Sequence, residues 1–139
     1  SRRAERGSED PGLGAVTNAE GILAMQAVVE TIEIAPAIAA YLVDIVRATR
    51  QLTGVQIGAS PRAAVALMQA SRARAALSGR AFVLPDDVKQ VAEACLAHRV
   101  SLRPEMWLRG VQSSELVRQA VSMVPVPIGD EAGAQRGDE

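Results

Sequence analysis

Hydrophobic positions recur at helical spacing in five stretches of the chain, and start or stop residues bracket each stretch. Ile22, Met25, Val29 and Ile32 follow Thr17 and Glu20, a capping-box pair, which predicts a first helix over about 18–30. Pro36 suits the first turn of a second helix, whose Ile38, Tyr41, Leu42, Ile45, Val46 and Leu52 mark one face until Thr53-Gly54. Ser60-Pro61 repeats a cap residue followed by proline and opens a third helix, with Val65, Met68, Ala75 and Leu77 on its apolar side and Gly79 as a left-handed stop. After an extended link at Phe82, Val83 and Leu84, Pro85-Asp86-Asp87 starts a fourth helix with Val88, Val91, Ala92, Cys95 and Leu96 inward. Val100 to Leu102 read as a brief strand. A fifth helix starts near Ser113, carries Leu116, Val117, Ala120 and Val121, and cannot continue through Pro125 and Pro127. The expected fold class is all-α, a small bundle of about five helices.

Neither end of the chain carries such a period. Residues 1–16 are polar and hold Gly7, Pro11, Gly12 and Gly14, while 128–139 are rich in acids and glycine, so both ends are expected to be flexible around a domain spanning 17–127. With 139 residues, one domain is the ceiling. Hydrophobic residues make up 48% and aromatic ones 2%, so that domain's core must be aliphatic.

Charge and counting remove several functions. Fifteen basic residues, all arginine but Lys89, face sixteen acids for a net charge of -1, which disfavours nucleic acid as the main partner. No apolar run reaches the ~18 residues that a membrane span needs, and no secretory signal opens the chain, so the reading is cytoplasmic. A phosphate-binding P-loop ends in Gly-Lys-Ser/Thr, whereas Lys89 sits between Val88 and Gln90. The residues therefore give no ground for ATP hydrolysis by this chain alone. One Cys (Cys95) and one His (His98) cannot build a Cys/His zinc site or an internal disulfide, so no metal is expected. Gly12-Leu13-Gly14 mimics a dinucleotide loop, but Thr17 stands where its third glycine belongs.

Arg62 is the most informative polar residue. It falls in the first turn of the third helix, where exposed N–H groups and the dipole already create positive potential. A solvated cation there loses about 0.3–1 kcal/mol, a tolerable cost. An anion at the helix start would instead bring amides, dipole and guanidinium into one site, because the arginine fork matches phosphate oxygens. Asp86 and Asp87 follow a helix-starting proline, where dipole complementarity explains them better than acid–base catalysis does. Cys95 and His98 share a helix face, yet the helix's carboxyl end disfavours a thiolate. Cys95 therefore reads as a small core residue, and His98 and Arg99 as cations satisfying terminal carbonyls. Arg47, Arg50, Arg72, Arg74 and Arg80 read as a solvated set, with docking onto an acidic partner surface as the functional alternative. Trp107 is expected to be a core or interface plug.

Gly58-Ala59-Ser60-Pro61-Arg62-Ala63 resembles the lid signature of MoxR-family AAA+ ATPases. Gly79-Arg80-Ala81-Phe82-Val83-Leu84-Pro85-Asp86-Asp87-Val88 is similar to the family's next segment, as are His98-Arg99, Leu102-Arg103-Pro104-Glu105 and Val124-Pro125-Val126-Pro127 to those that follow. The resemblance covers about residues 11–127 and leaves out the Walker motifs, the first sensor and the arginine finger. It implies that 1–16 link to an ATPase core outside this chain, that 17–127 form a helical lid and that 128–139 are a tail. Arg62 then matches the second-sensor arginine, with Ser60, Pro61 and Arg62 the expected nucleotide-binding residues and Arg62 the catalytic one. Cofactors implied for the parent are ATP and Mg2+, with none held tightly by this piece. Implied partners are the core of the same protein, neighbouring subunits of a ring and a client protein, in chaperone-like remodelling. A non-catalytic helical adaptor or nucleic-acid-binding module is the competing reading, and salt-dependent retention on DNA separates the two.

Overall fold

The computed structural model describes residues 14–127; of the expected linker 1–16 only 14–16 are described, and the readings on 1–13 and 128–139 lie outside the described residues. Six α-helices run in order: α1 (Ala19–Thr31), α2 (Pro36–Gln51), α3 (Pro61–Leu77), α4 (Pro85–Leu96), α5 (Pro104–Leu108) and α6 (Ser113–Met123). Two short strands, β1 (Val55–Ile57) and β2 (Ser101–Leu102), pair antiparallel with Val55 opposite Leu102. The fold is the expected small all-α bundle with one helix more, α5, and a minimal sheet. Val55–Ile57 carried no strand expectation, because three residues are too few to show a period of two.

Proline opens four of the six helices, α2 to α5, and in none of these four does the cap residue's own side chain bond a helix N–H. A proline ring holds φ where a helix begins, and the N–H it lacks is one that has no partner within the helix in any case. Its ring also forces the preceding residue out of the helical region. Ala35, Ser60, Leu84 and Arg103 accordingly all lie in extended backbone, with ψ between 146° and 167°. For α1 the cap is Asn18, not Thr17: Asn18 Oδ1 accepts from the Gly21 N–H at 2.8 Å, so the expected Thr17–Glu20 capping box gives way to a single cap bond, Gly21 having no side chain to return one.

The core lies on one face of α2. Ile38, Tyr41, Leu42, Ile45, Val46 and Leu52 are all buried there, as their spacing predicts. They pack on Leu67 and Ala75 of α3, on Val88, Ala92 and Leu96 of α4, and on Leu116, Val117 and Ala120 of α6. The expected inner face of α3 needs correcting. Val65 is 55% exposed and Leu77 83%, while Ala63, Leu67, Ser71 and Ala75 are fully buried. Ser71 joins the core because its hydroxyl donates to the Leu67 carbonyl at 2.8 Å, which leaves a small, satisfied group facing inward. These small residues let α3 approach α4 closely.

Gly79 ends α3 with φ +71°. A side chain added there meets nothing within 4 Å, so its cost is backbone strain alone. Gly79→Ala is expected to destabilise the fold by about 1–2 kcal/mol in thermal or urea unfolding.

α1 is apolar on most of its circumference and buries none of its residues. It rests on α3 by one side, where Val29 is half-buried, while Ile22, Leu23, Met25 and Val28 are between 45% and 63% exposed. Of the expected stripe only Ile32, just past the helix end, reaches the core.

Candidate functional site

The site is built around the start of α3. Ser60 occupies the cap position, but its side chain makes no cap hydrogen bond. Pro61 carries no N–H, and the Ala63 N–H bonds the Ser60 carbonyl at 2.8 Å. Of the first three helical residues, the amide left for an anion is that of Arg62 itself. No acidic residue occupies this first turn, and Arg62 is exposed. Among the described residues none of the ion pairs involves it. The guanidinium thus extends from a positive helix end with no ion-pair partner among the described residues.

The chain leading into this helix is tightly held. Ala59 is fully buried, and α2 meets both of its backbone polar groups. Its N–H donates to Thr49 Oγ1 at 3.0 Å, and its carbonyl accepts from Arg50 Nε at 2.9 Å. Thr49, 1% exposed, in turn donates to the Val46 carbonyl at 2.7 Å. Gly58 lies directly on α2: a Cβ there would sit 2.8 Å from Arg50 Cα and 2.9 Å from its N, so only glycine allows this contact.

The other sequence candidates take structural places. Asp87 is 2% exposed and accepts a two-pronged contact from Arg80, at 2.7 Å from Nη1 and 2.6 Å from Nη2. It also accepts from the Leu84 N–H at 2.9 Å, closing the start of α4. Hydrogen bonding to Arg80 holds the Asp87 carboxyl below the usual carboxylate range. Arg80 is therefore an internal ion-pair partner and not part of a solvated face. Asp86 stays at the surface, with Lys89 at 3.2 Å.

Among the remaining arginines, Arg74 Nε donates to Gln90 Oε1 at 2.6 Å, and Arg47 lies 3.7 Å from Asp44. Arg72 Nε is buried without a partner among the described residues. Cys95 is half-buried, and burial pushes its thiol pKa up, away from the reactive thiolate. His98 and Arg99 do not cap α4 as expected: His98 is exposed, and Arg99 Nε is buried with no partner among the described residues. The chain instead tightens into a 3-10 turn, Ala97–Arg99, with the Ala97 N–H bonding the Glu93 carbonyl.

Trp107 is no core plug. On the five-residue α5 it is 73% exposed beside Leu108 at 80%, because Met106 is the residue that α5 turns inward, against Gly54. As the chain's one tryptophan it reports directly on this surface. Its emission is expected to lie at the wavelength of a hydrated indole and to be quenched by acrylamide almost as free tryptophan is.

Among the described residues no group of three or more His, Cys, Asp or Glu side chains is placed to hold a metal ion. No described helix is long and apolar enough to cross a membrane.

Comparison with known proteins agrees with this architecture. The family described as AAA lid domain matches residues 47–120, more than half of the chain and the whole Ala59–Arg62 segment. The protein YeaC of Bacillus subtilis is 40% identical over 109 residues, which are 78% of this chain and 34% of YeaC. Protein MoxR of Methylorubrum extorquens is 42% identical over 74 residues, 52% of this chain and 22% of that protein. Chaperone MoxR1 of Mycobacterium tuberculosis is 30% identical, over 63% of this chain and 26% of its own length. The chain thus spans about a third or less of these relatives. A crystal structure from Cytophaga hutchinsonii, of a protein provisionally named an ATPase, superposes with a TM-score of 0.74 at 25% identity, covering 78% of this chain and 36% of that one. Sequence and fold together show that the chain belongs to the AAA lid domain family, as the helical lid of a MoxR-type AAA+ ATPase.

Proposed function

We propose that this lid, spanning 17–127, places Arg62 against the terminal phosphate of an ATP molecule bound by the ATPase core of the parent protein, and so couples hydrolysis to movement of the lid. The observation that carries this reading is the unopposed guanidinium at the start of α3: exposed, outside every ion pair of the described residues, and in a first turn without an acid. Charge develops on phosphate oxygens during phosphoryl transfer, and an arginine held near them stabilises it. Ser60 and Pro61 set the direction from which Arg62 approaches.

The chemistry present here is only part of a nucleotide site. No carboxylate stands near Arg62 in the first turn of α3 to hold Mg2+, and no P-loop lysine exists in the chain. Magnesium and most of the phosphate contacts therefore belong to the core, and this piece alone is expected to bind ATP weakly. The partners that follow are that core, neighbouring subunits of a ring, and a client protein remodelled in a chaperone-like manner. A relative named Chaperone MoxR1 supports the last of these.

The test is Arg62→Ala in the full-length protein, with ATP turnover and thermal unfolding both measured. Loss of turnover in a protein that unfolds at the wild-type temperature supports the role, and unchanged turnover refutes it.

A further inference from the structure

We propose that Thr49 and Arg50, at the end of α2, are positioning residues for Arg62: they set the direction of its guanidinium by holding the peptide groups of Ala59. This inference rests on the nucleotide reading of Arg62.

Ala59 lies three residues before Arg62, and only Ser60 and the rigid Pro61 intervene. Both polar groups of Ala59 are bound from one helix, its N–H by Thr49 Oγ1 at 3.0 Å and its carbonyl by Arg50 Nε at 2.9 Å. Gly58 brings the same segment into contact with the Arg50 backbone, where a Cβ would collide. The segment is thus fixed by two hydrogen bonds of opposite sense and one steric contact, all on the last turn of α2. Proline then removes φ freedom at the helix start.

A buried residue pairs both of its peptide groups whatever its role; what is particular here is that both partners are side chains of one turn of α2, which fixes the segment against that helix. An arginine that must meet a phosphate gains from such fixing, because a displacement of about 1 Å costs up to ~100-fold in rate. The clamp also ties Arg62 to α2, the central helix of the bundle, so lid rotation and guanidinium placement become one movement.

The experiment is a double-mutant cycle on ATP hydrolysis by the full-length protein, combining Thr49→Val with Arg62→Ala. Thr49→Val keeps the volume and removes the hydroxyl. It is expected to lower kcat roughly tenfold, with KM for ATP within about twofold, since geometry at the reacting phosphate changes while the core's contacts do not. Thr49→Ser, which restores the acceptor, is expected to recover most of the rate. In the Arg62→Ala background, Thr49→Val should have no further effect.

An equal loss with and without Arg62, or wild-type kcat in Thr49→Val beside an impaired Arg62→Ala, would overturn the clamp. Wild-type kcat in Arg62→Ala would instead overturn the nucleotide reading itself. If Thr49→Val fails to fold, Arg50→Met supplies the same cycle, because it removes only the donor to the Ala59 carbonyl, from an exposed side chain.

Discussion

Replacing Arg62 with alanine in the full-length protein is expected to cut the rate of ATP hydrolysis by roughly 100-fold, the scale on which removing one preorganised donor to a developing oxyanion acts. The exposed position makes this a clean measurement. Arg62 contributes nothing to the core and none of the ion pairs of the described residues includes it, so the variant should unfold at the wild-type temperature. A basic side chain in the first turn also opposes the helix dipole, so stability is expected to be unchanged or slightly improved. Arg62→Lys restores the charge but not the planar fork, and should recover only part of the rate. Full recovery with lysine would mean that charge alone suffices and that no two-pronged contact to phosphate is made.

The largest effects on stability are expected at the Asp87–Arg80 pair. Asp87→Ala removes a buried carboxylate that joins Arg80, α4 and the link before α4, and should cost about 2–3 kcal/mol in urea unfolding. Two contributions make up this loss. The start of α4 loses the acceptor for the Leu84 N–H, and Arg80 loses a two-pronged partner at 2.6 and 2.7 Å. Arg80, 26% exposed, can turn partly into water. Arg80→Ala is expected to be the worse of the two, because it strands the Asp87 charge, whose side chain is 3% exposed.

The pH dependence has a definite sign. Folding lowers the Asp87 pKa from its ordinary value of 3.8, so the stability it adds is fully present above that value. That increment is lost as pH falls through the lower, folded value. The gap between wild type and Asp87→Ala should therefore be constant near neutrality and close in acid. A gap that widens in acid would contradict the assignment of the ion pair.

Much of this architecture can be read from the chain because its helix starts are local. A proline with an extended residue before it needs no tertiary partner, so the openings of α2, α3 and α4 follow from composition at single positions. The buried face of α2 is equally legible, since large aliphatic residues at helical spacing alternate there with Asp44 and Arg47. On α3 that logic inverts. The buried side is made of Ala63, Ser71 and Ala75 around one Leu67, and the larger Val65 and Leu77 point outward, so residue size misleads.

Arg62 stands out because its sign is wrong for its place. What holds it is invisible in one dimension: Thr49 on α2 and Ala59 in the link before α3 are ten residues apart and are joined by a single hydroxyl. The Arg80–Asp87 pair is hidden for a related reason. Each residue has a sufficient local explanation, one as a solvated base and one as a dipole-favoured acid, and only the turn between them brings the two within reach. The exposure of Trp107 depends on Met106 taking the inward position on a helix of five residues, too short to show a face.

The prolines that open α2 to α5 also shape the chain before it folds. Each restricts its own φ and the ψ of its predecessor, so the four corners are already partly drawn in the denatured ensemble. Restrictions of this kind are each worth about 0.4–1 kcal/mol through the entropy that folding no longer has to remove. A domain whose corners are set this way can swing as one body against a neighbour, because its bends owe little to contacts that such a swing would disturb.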